Sequence, residues 1–284
     1  MTYMRHTGFV LLLLLVGFFS KGQEQTVAAE KKKAAEFKIS ANYNTGLNYY
    51  GRVDSLRSSG FFPLAELWLN ESFYINAAPV FVNNALASFQ YAGTITSVGY
   101  LLKSNDKKWL ANIYAIKPFY KESSELVQSA LKAQTGMSLT WLNKYLNITG
   151  GADAKFSDKT DYGVTAGVDH IIRKQLNDKT VLVIDPTATL NAGTQQFTNS
   201  YLKKNKGFLF FPGNEELVTE TAQKFNILSY EFSAPVILAT GKLQLLFTPA
   251  YVMPQHLLIV EGRPDLSEKG DNMFYATIGA KMSF

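Results

Sequence analysis

From Met273 to Phe284 the chain alternates without interruption. Phe274, Ala276, Ile278, Ala280, Met282 and Phe284 fall on one face of an extended strand, and Tyr275, Thr277, Gly279, Lys281 and Ser283 fall on the other. Successive side chains of a strand point to opposite faces, so this segment offers one side to lipid and the other to water. Its length is that of a β-strand tilted across a bilayer, about 9 to 11 residues. Beyond residue 36 no stretch is apolar enough for a membrane helix, while the chain carries 20 Phe and 15 Tyr. An aromatic-rich, helix-poor chain with such a strand fits an all-β fold, a transmembrane antiparallel barrel. A soluble β-sandwich or barrel alternates similarly, and the first residues argue against it.

Those residues give Arg5 and His6, an apolar run from Gly8 to Phe19, Ser20-Lys21-Gly22, and then the polar Gln23-Glu24-Gln25. This is the layout of a secretory signal peptide, and the apolar run is short of the roughly 20 residues of a spanning helix. The expected organisation is a signal peptide over 1–22, a flexible periplasmic lead over 23–36 with Glu30-Lys31-Lys32-Lys33, and a barrel over 37–284. Removing 1–22 takes away Arg5 and Lys21 and no acid, so the formal charge of +5 falls and a nucleic-acid partner is not expected. With 0 Cys, disulfides, thiolate metal sites and cysteine nucleophiles are excluded.

Reading backward from the last strand, further alternating segments are Lys242 to Met253, Phe225 to Leu238, Thr180 to Gly193, Asp161 to Arg173, Tyr145 to Phe156, Gln134 to Leu142, Lys108 to Tyr120 and Ser88 to Lys103. Lys38 to Tyr49 opens the set. The apolar stretch from Phe61 to Val82 reads as one strand or two. Bacterial single-chain barrels have an even number of strands, both termini periplasmic and short periplasmic turns, which demands a split at the polar Asn70-Glu71-Ser72. About twelve strands result. The connections at 70–72, 104–107, 143–144, 175–179 and 239–241 then fall on the periplasmic side and all are short. Those near 51–60, 121–133, 194–223 and 254–272 fall outside.

The terminal Phe284 behind Met282, Ala280 and Ile278 resembles the C-terminal signal that outer-membrane barrels present to the barrel assembly machinery. The stretches Asn226-Ile227-Leu228-Ser229-Tyr230-Glu231-Phe232-Ser233-Ala234-Pro235 and Phe247-Thr248-Pro249-Ala250-Tyr251-Val252-Met253-Pro254, with Ser124-Glu125-Leu126-Val127-Gln128-Ser129, are similar to a group of uncharacterised outer-membrane β-barrel proteins of Gram-negative bacteria. The resemblance implies a fold and an outer-membrane address and carries no activity with it.

Alternation places Glu66, Asp153, Lys155, Asp169, Arg173, Asp185, Glu231 and Lys281 on the lumen side, where charge is tolerated only if it meets water or an opposite charge. Such groups either pair into a filling that stiffens the wall or line a selective path. The expected function is a low-conductance channel or uptake barrel for small polar solutes, with a structural or complex-forming barrel as the rival. An outer-membrane lipid hydrolase requires a base, and beyond the signal region there are His170, expected on the lipid side, and His256, in a loop. Neither has the sequence context of a catalytic base, so no enzyme, no metal and no other cofactor is expected. The long segment 194–223 carries Lys203, Lys204 and Lys206 and then Phe208 to Phe211. It is expected to cap the lumen and to meet lipopolysaccharide phosphates. Partners otherwise expected are outer-membrane lipid, with the identity of any protein partner open.

Overall fold

The computed structural model describes residues 35–124, 126–198, 223–259 and 267–284. The expected signal peptide, most of the lead, and the Lys203 to Phe211 stretch lie outside the described residues. Fifteen strand segments form one sheet: β1 (Glu36–Asn44), β2 (Ser59–Trp68), β3 (Phe73–Asn83), β4 (Gln90–Lys103), β5 (Trp109–Tyr120), β6 (Ala133–Trp141), β7 (Asn147–Phe156), β8 (Thr160–Asp169), β9 (Ile172–Asn177), β10 (Thr180–Ile184), β11 (Thr187–Gly193), β12 (Asn226–Ser233), β13 (Val236–Thr240), β14 (Leu243–Pro254) and β15 (Met273–Ser283). Three pairs, β8 with β9, β10 with β11 and β12 with β13, are single strands broken once, so the wall has twelve strands.

Every neighbour is antiparallel, and β15 closes on β1 from Lys38↔Ser283 to Asn44↔Thr277. Closure removes the edge, so each strand of the wall has a neighbour on both sides over most of its length. Among the described residues no helix is long and apolar enough to cross a membrane. The split at Asn70 is present, with Asn70 Oδ1 accepting the N–H groups of Ser72 and Phe73 at 2.8 Å each. The short turns gather at one end, together with Glu36 and Phe284, and the long connections gather at the other.

The side chains are arranged inside-out relative to a soluble protein. Ile113, Met137, Leu139, Val164, Leu245, Phe247 and Ile278 are exposed on the outer surface, while Lys38, Asn42, Glu66, Asn112, Asp169 and Lys281 are buried inside. Two aromatic bands frame the apolar belt. At the short-turn end Trp109 pairs with Trp141, near Tyr100 and the Phe37–Phe284 contact at 6.3 Å. At the long-loop end Phe61 meets Phe81 and Phe89, both at 6.2 Å, and Tyr251 meets Phe274 at 4.3 Å. Aromatic bands at two levels with aliphatic side chains between them match the two interfaces and the core of a bilayer.

Three strand breaks lie side by side and share a cause. Pro186 and Pro235 cannot donate to a ladder, and the carbonyls nearby are met by substitutes. His170 N donates to Pro186 O at 3.1 Å, Asp185 N to Pro235 O at 2.9 Å and Ala234 N to Pro249 O at 3.1 Å. A line of kinks therefore runs across the wall from β8 to β14. Below it, β9 continues past the last pair of β7, Asn147↔Asp169, and pairs with β10 alone.

Two expectations are corrected here. The first strand does not run to Tyr49: it ends at Asn44, whose Oδ1 accepts the N–H of Gly46 at 2.8 Å and turns the chain inward. The segment expected to alternate from Phe225 to Leu238, with Leu228, Tyr230 and Phe232 on one face, does not do so throughout: in β12, Leu228 does not stay in phase with Tyr230 and Phe232. A register shift between Asn191 and Ala192 lets both Leu228 and Ser229 turn inside.

Candidate functional site

At the short-turn end of the lumen, β15, β1 and β2 lie side by side, with Ser40 opposite Lys281 and Lys38 opposite Glu66. Glu66 forms an ion pair with Lys281, and both side chains are 1% exposed. Lys38 lies 3.5 Å from Glu36 and stands over the Trp68 ring at 5.2 Å. One carboxylate thus sits between two buried ammonium groups. Trp68, Tyr74, Leu101 and Leu110 pack beside them.

The opposite side of the lumen is more acidic. Asp169, at the end of β8, accepts from Asn147 Nδ2 at 2.9 Å. Asp185 is buried at the break between β10 and β11. Glu231 Oε1 accepts from the Tyr275 hydroxyl at 3.0 Å, and its Oε2 has no hydrogen-bond partner among the described residues. Thr165, Asn191 and Ser229 bond in series between the strands at 3.0 and 3.1 Å. Nearer the long-loop end Lys155 pairs with Asp153 and lies 5.5 Å from the Tyr50 ring centre, and Gln134 Nε2 donates to Asp153 at 3.2 Å.

Of the eight charged residues expected to face the lumen, the structure buries Glu66, Asp153, Lys155, Asp169, Asp185, Glu231 and Lys281 and joins two pairs of them directly. Arg173 is half-buried on β9. It lies past the break at His170-Ile171, opposite the buried Val183, whose own partner Ile237 faces Leu246 on the lumen side, and β9 there lies beyond the end of β7.

The long-loop mouth is closed by residues that strand alternation does not reveal. Residues 45–58 dip into the barrel and end in a tight hairpin, with Tyr49 N donating to Arg52 O at 2.8 Å and Arg52 N to Tyr49 O at 3.0 Å. The central Tyr50 and Gly51 have φ of 56° and 77°, the left-handed pair that a type I′ turn requires. A Cβ on Gly51 would sit 2.8 Å from Pro254 Cδ, so glycine is demanded by space as well. Leu47, Tyr49 and Tyr50 pack with Val80, Ile95, Val127, Phe197 and Leu228 in one apolar cluster. Burial raises the phenols of Tyr49 and Tyr50 above the ordinary tyrosine range and keeps both neutral.

Arg52, 1% exposed, ties three connections together. Its Nε donates to Glu268 at 3.0 Å, Nη1 to the carbonyls of Tyr50 and Leu228 at 3.2 and 3.1 Å, and Nη2 to Gln195 Oε1 at 2.5 Å and Gln255 O at 3.1 Å. The planar fork of arginine suits such multiple acceptance. Asp161 holds the start of the segment after β11, accepting from Thr194 Oγ1 at 2.5 Å and from the N–H groups of Gln196 and Phe197 at 2.7 Å. Phe197 is thereby set edge-on to Tyr49 at 4.7 Å. The sequence holds no periodic signal for Arg52. The Tyr50-Gly51 turn is the local hint that its loop is ordered.

Among the described residues His170 and His256 lie at the surface, each engaged with backbone: His170 Nδ1 with Tyr145 O at 2.6 Å and His256 Nδ1 with Ile227 O at 2.9 Å. Among the described residues no group of three His, Asp or Glu side chains is placed to hold a metal ion.

No protein-family model matches this chain, and no curated protein matches it. Among solved structures, a KdgM porin aligns with 87% of this chain and 99% of its own at 9% identity and a TM-score of 0.45. An outer-membrane channel from Pseudomonas putida F1 aligns with 92% and 100% at 10% identity and a TM-score of 0.45, and LpxR from Salmonella typhimurium with 86% and 99% at 7% and 0.44. The structures to which the chain is similar are thus outer-membrane β-barrel proteins, and at these identities no residue role passes from them to this chain.

Proposed function

We propose that this barrel is an outer-membrane channel of low conductance for small polar solutes, closed at its mouth in the resting state. The reading is supported by one arrangement: buried polar side chains line the interior from Lys38 and Glu66 at the short-turn end to Lys155 at the other, directly under a plug that a single arginine fastens. Buried polar atoms without partners among the described residues, such as Glu231 Oε2 and Gln134 Oε1, call for water, and a wet interior suits a path. In this reading the protein is exported with its signal peptide removed and assembles through the strand ending at Phe284. The short turns face the periplasm, and the long-loop end faces outward. There the exposed Lys117, Lys121, Lys132 and Lys159 suit contact with lipopolysaccharide phosphates.

The ion pairs Glu66–Lys281 and Asp153–Lys155 favour a second reading, a barrel filled for rigidity. Planar-bilayer recording separates the two. Small step currents from purified wild-type protein support the channel. Silence from wild type and from a variant with the mouth released supports the filled barrel.

Orientation has its own test. A cysteine replacing Asp158, exposed in the connection after β7, should react with a membrane-impermeant maleimide on intact cells, and one replacing Gly241 should react only after the outer membrane is broken. The opposite labelling pattern inverts the proposed topology.

A further inference from the structure

Lys117 stands on the lipid-facing side of the wall. It shares the outward face of β5 with Ile113, Ala115 and Phe119, all exposed, whereas Leu110, Asn112 and Pro118 are buried inside. The strands β3 to β6 contain no acidic residue. Among the described residues the Lys117 ammonium meets the Phe119 ring, at 5.7 Å to its centre, and no carboxylate. A charge facing lipid is costly near the middle of a bilayer and tolerated at its interface, so this position calls for the head-group layer.

The neighbouring aromatic residues fix that level. Tyr91 on β4 joins the outer aromatic band through an edge contact with Phe81 at 5.8 Å, and its hydroxyl shares a hydrogen bond of 2.7 Å with Thr94 Oγ1. In register, Thr94 stands opposite Phe119 and Thr96 opposite Lys117. Lys121 still follows the line of β5, its N–H donating to Ala92 O at 2.8 Å, and its ammonium lies 5.2 Å from the Tyr91 ring centre. At a rise of about 3.3 Å per residue the two lysines stand about 13 Å apart along the wall, with Phe119 between them. Glu122 is exposed in the connection beyond Lys121. Thr96, and Thr135 opposite Ala115, are small and donate to backbone carbonyls, of Lys117 at 2.9 Å and of Tyr114 at 3.1 Å, which leaves the wall shallow beside Lys117.

We propose that the outer face of β4 and β5 holds one molecule of the bisphosphorylated lipid A part of lipopolysaccharide, with one phosphate at Lys117 and the other at Lys121. Two phosphates at the ends of one disaccharide match two ammonium groups at this spacing, and the acyl chains lie along the exposed Val98, Ile113 and Met137. A phospholipid offers a single phosphate, and free phosphate offers no chain, so neither meets both features. The inference narrows the general lipopolysaccharide contact proposed above to one site and rests on the long-loop end facing outward. The test is titration of the purified full-length barrel with bisphosphorylated lipid A, monophosphoryl lipid A and phosphatidylglycerol, with bound lipid counted by native mass spectrometry.

The expected result is one bisphosphorylated lipid A per barrel, held about fivefold more tightly than the monophosphoryl form, as one basic contact near the membrane surface provides. Lys117→Gln should weaken that binding about fivefold and erase the difference between the two forms. Lys117→Arg should keep both, and Lys103→Gln, at the other end of β4, should change neither. Equal binding of phosphatidylglycerol, displacement by inorganic phosphate alone, or binding unmoved by Lys117→Gln overturns the site. Any of these with cysteine labelling as expected overturns the site alone, whereas inverted labelling overturns the orientation and the site with it.

Discussion

Arg52→Ala should convert a closed mouth into an open one without unfolding the barrel. The substitution removes the donors that meet Glu268, Gln195 and the carbonyls of Tyr50, Leu228 and Gln255. Breaking a buried charge network from one side costs about 3–5 kcal/mol, because the partner charge is left behind. That cost falls on residues 45–58 and the connections after β11 and β14. The wall keeps its ladders, since none of the strand pairings runs through Arg52. The destabilised state is therefore a released plug. Bilayer recordings should show larger and more frequent steps than wild type, and cells should admit small hydrophilic antibiotics more readily. Folded and heat-denatured forms should keep their separate mobilities on a detergent gel. Arg52→Lys should recover little, because an ammonium cannot reproduce the planar fork. Unchanged conductance together with an intact fold would mean that the apolar cluster around Tyr49 and Phe197 closes the mouth by itself.

The contrast between wall and mouth explains what could be read from the sequence. A strand facing lipid on one side and water on the other carries a period of two in its own residues, so Met273 to Phe284 and its neighbours could be found one by one. Closure then constrained their number, which is why Asn70 to Ser72 was recognisable as a turn inside an otherwise apolar stretch. The plug has no period. Tyr49 continues the alternation of β1 well enough to pass as strand, and what ends the strand is a side-chain bond from Asn44 to the backbone at Gly46. Leu228 turns inside through a bulge set by a different strand. Arg52 touches groups at 195, 228, 255 and 268. Contacts made by folding distant loops onto one residue are invisible to local pattern.

The largest loss of stability is expected from Glu66→Gln. Glu66 lies in the first hairpin next to the seam where β15 meets β1, with Lys281 as its ion-pair partner and Lys38 directly opposite in register. Neutralising it leaves two buried ammonium groups facing each other in the low-dielectric part of the lumen, a change expected to cost about 3–5 kcal/mol. Lys281→Met should cost clearly less, because Lys38 still faces the carboxylate and the thioether fills the space. Combining the two should recover much of the loss, since one ammonium then remains beside Glu36 and the Trp68 ring, where it already sits. Urea titration of the barrel in lipid vesicles, followed by tryptophan fluorescence, would rank the three. The order itself is the test: an isolated pair predicts equal losses for the two single variants, whereas one acid shared by two bases predicts the larger loss at Glu66. Because β1, β2 and β15 must come together for the barrel to close, the same order should appear in the fraction of protein that assembles. Closure then depends on a carboxylate being present when the two lysines meet.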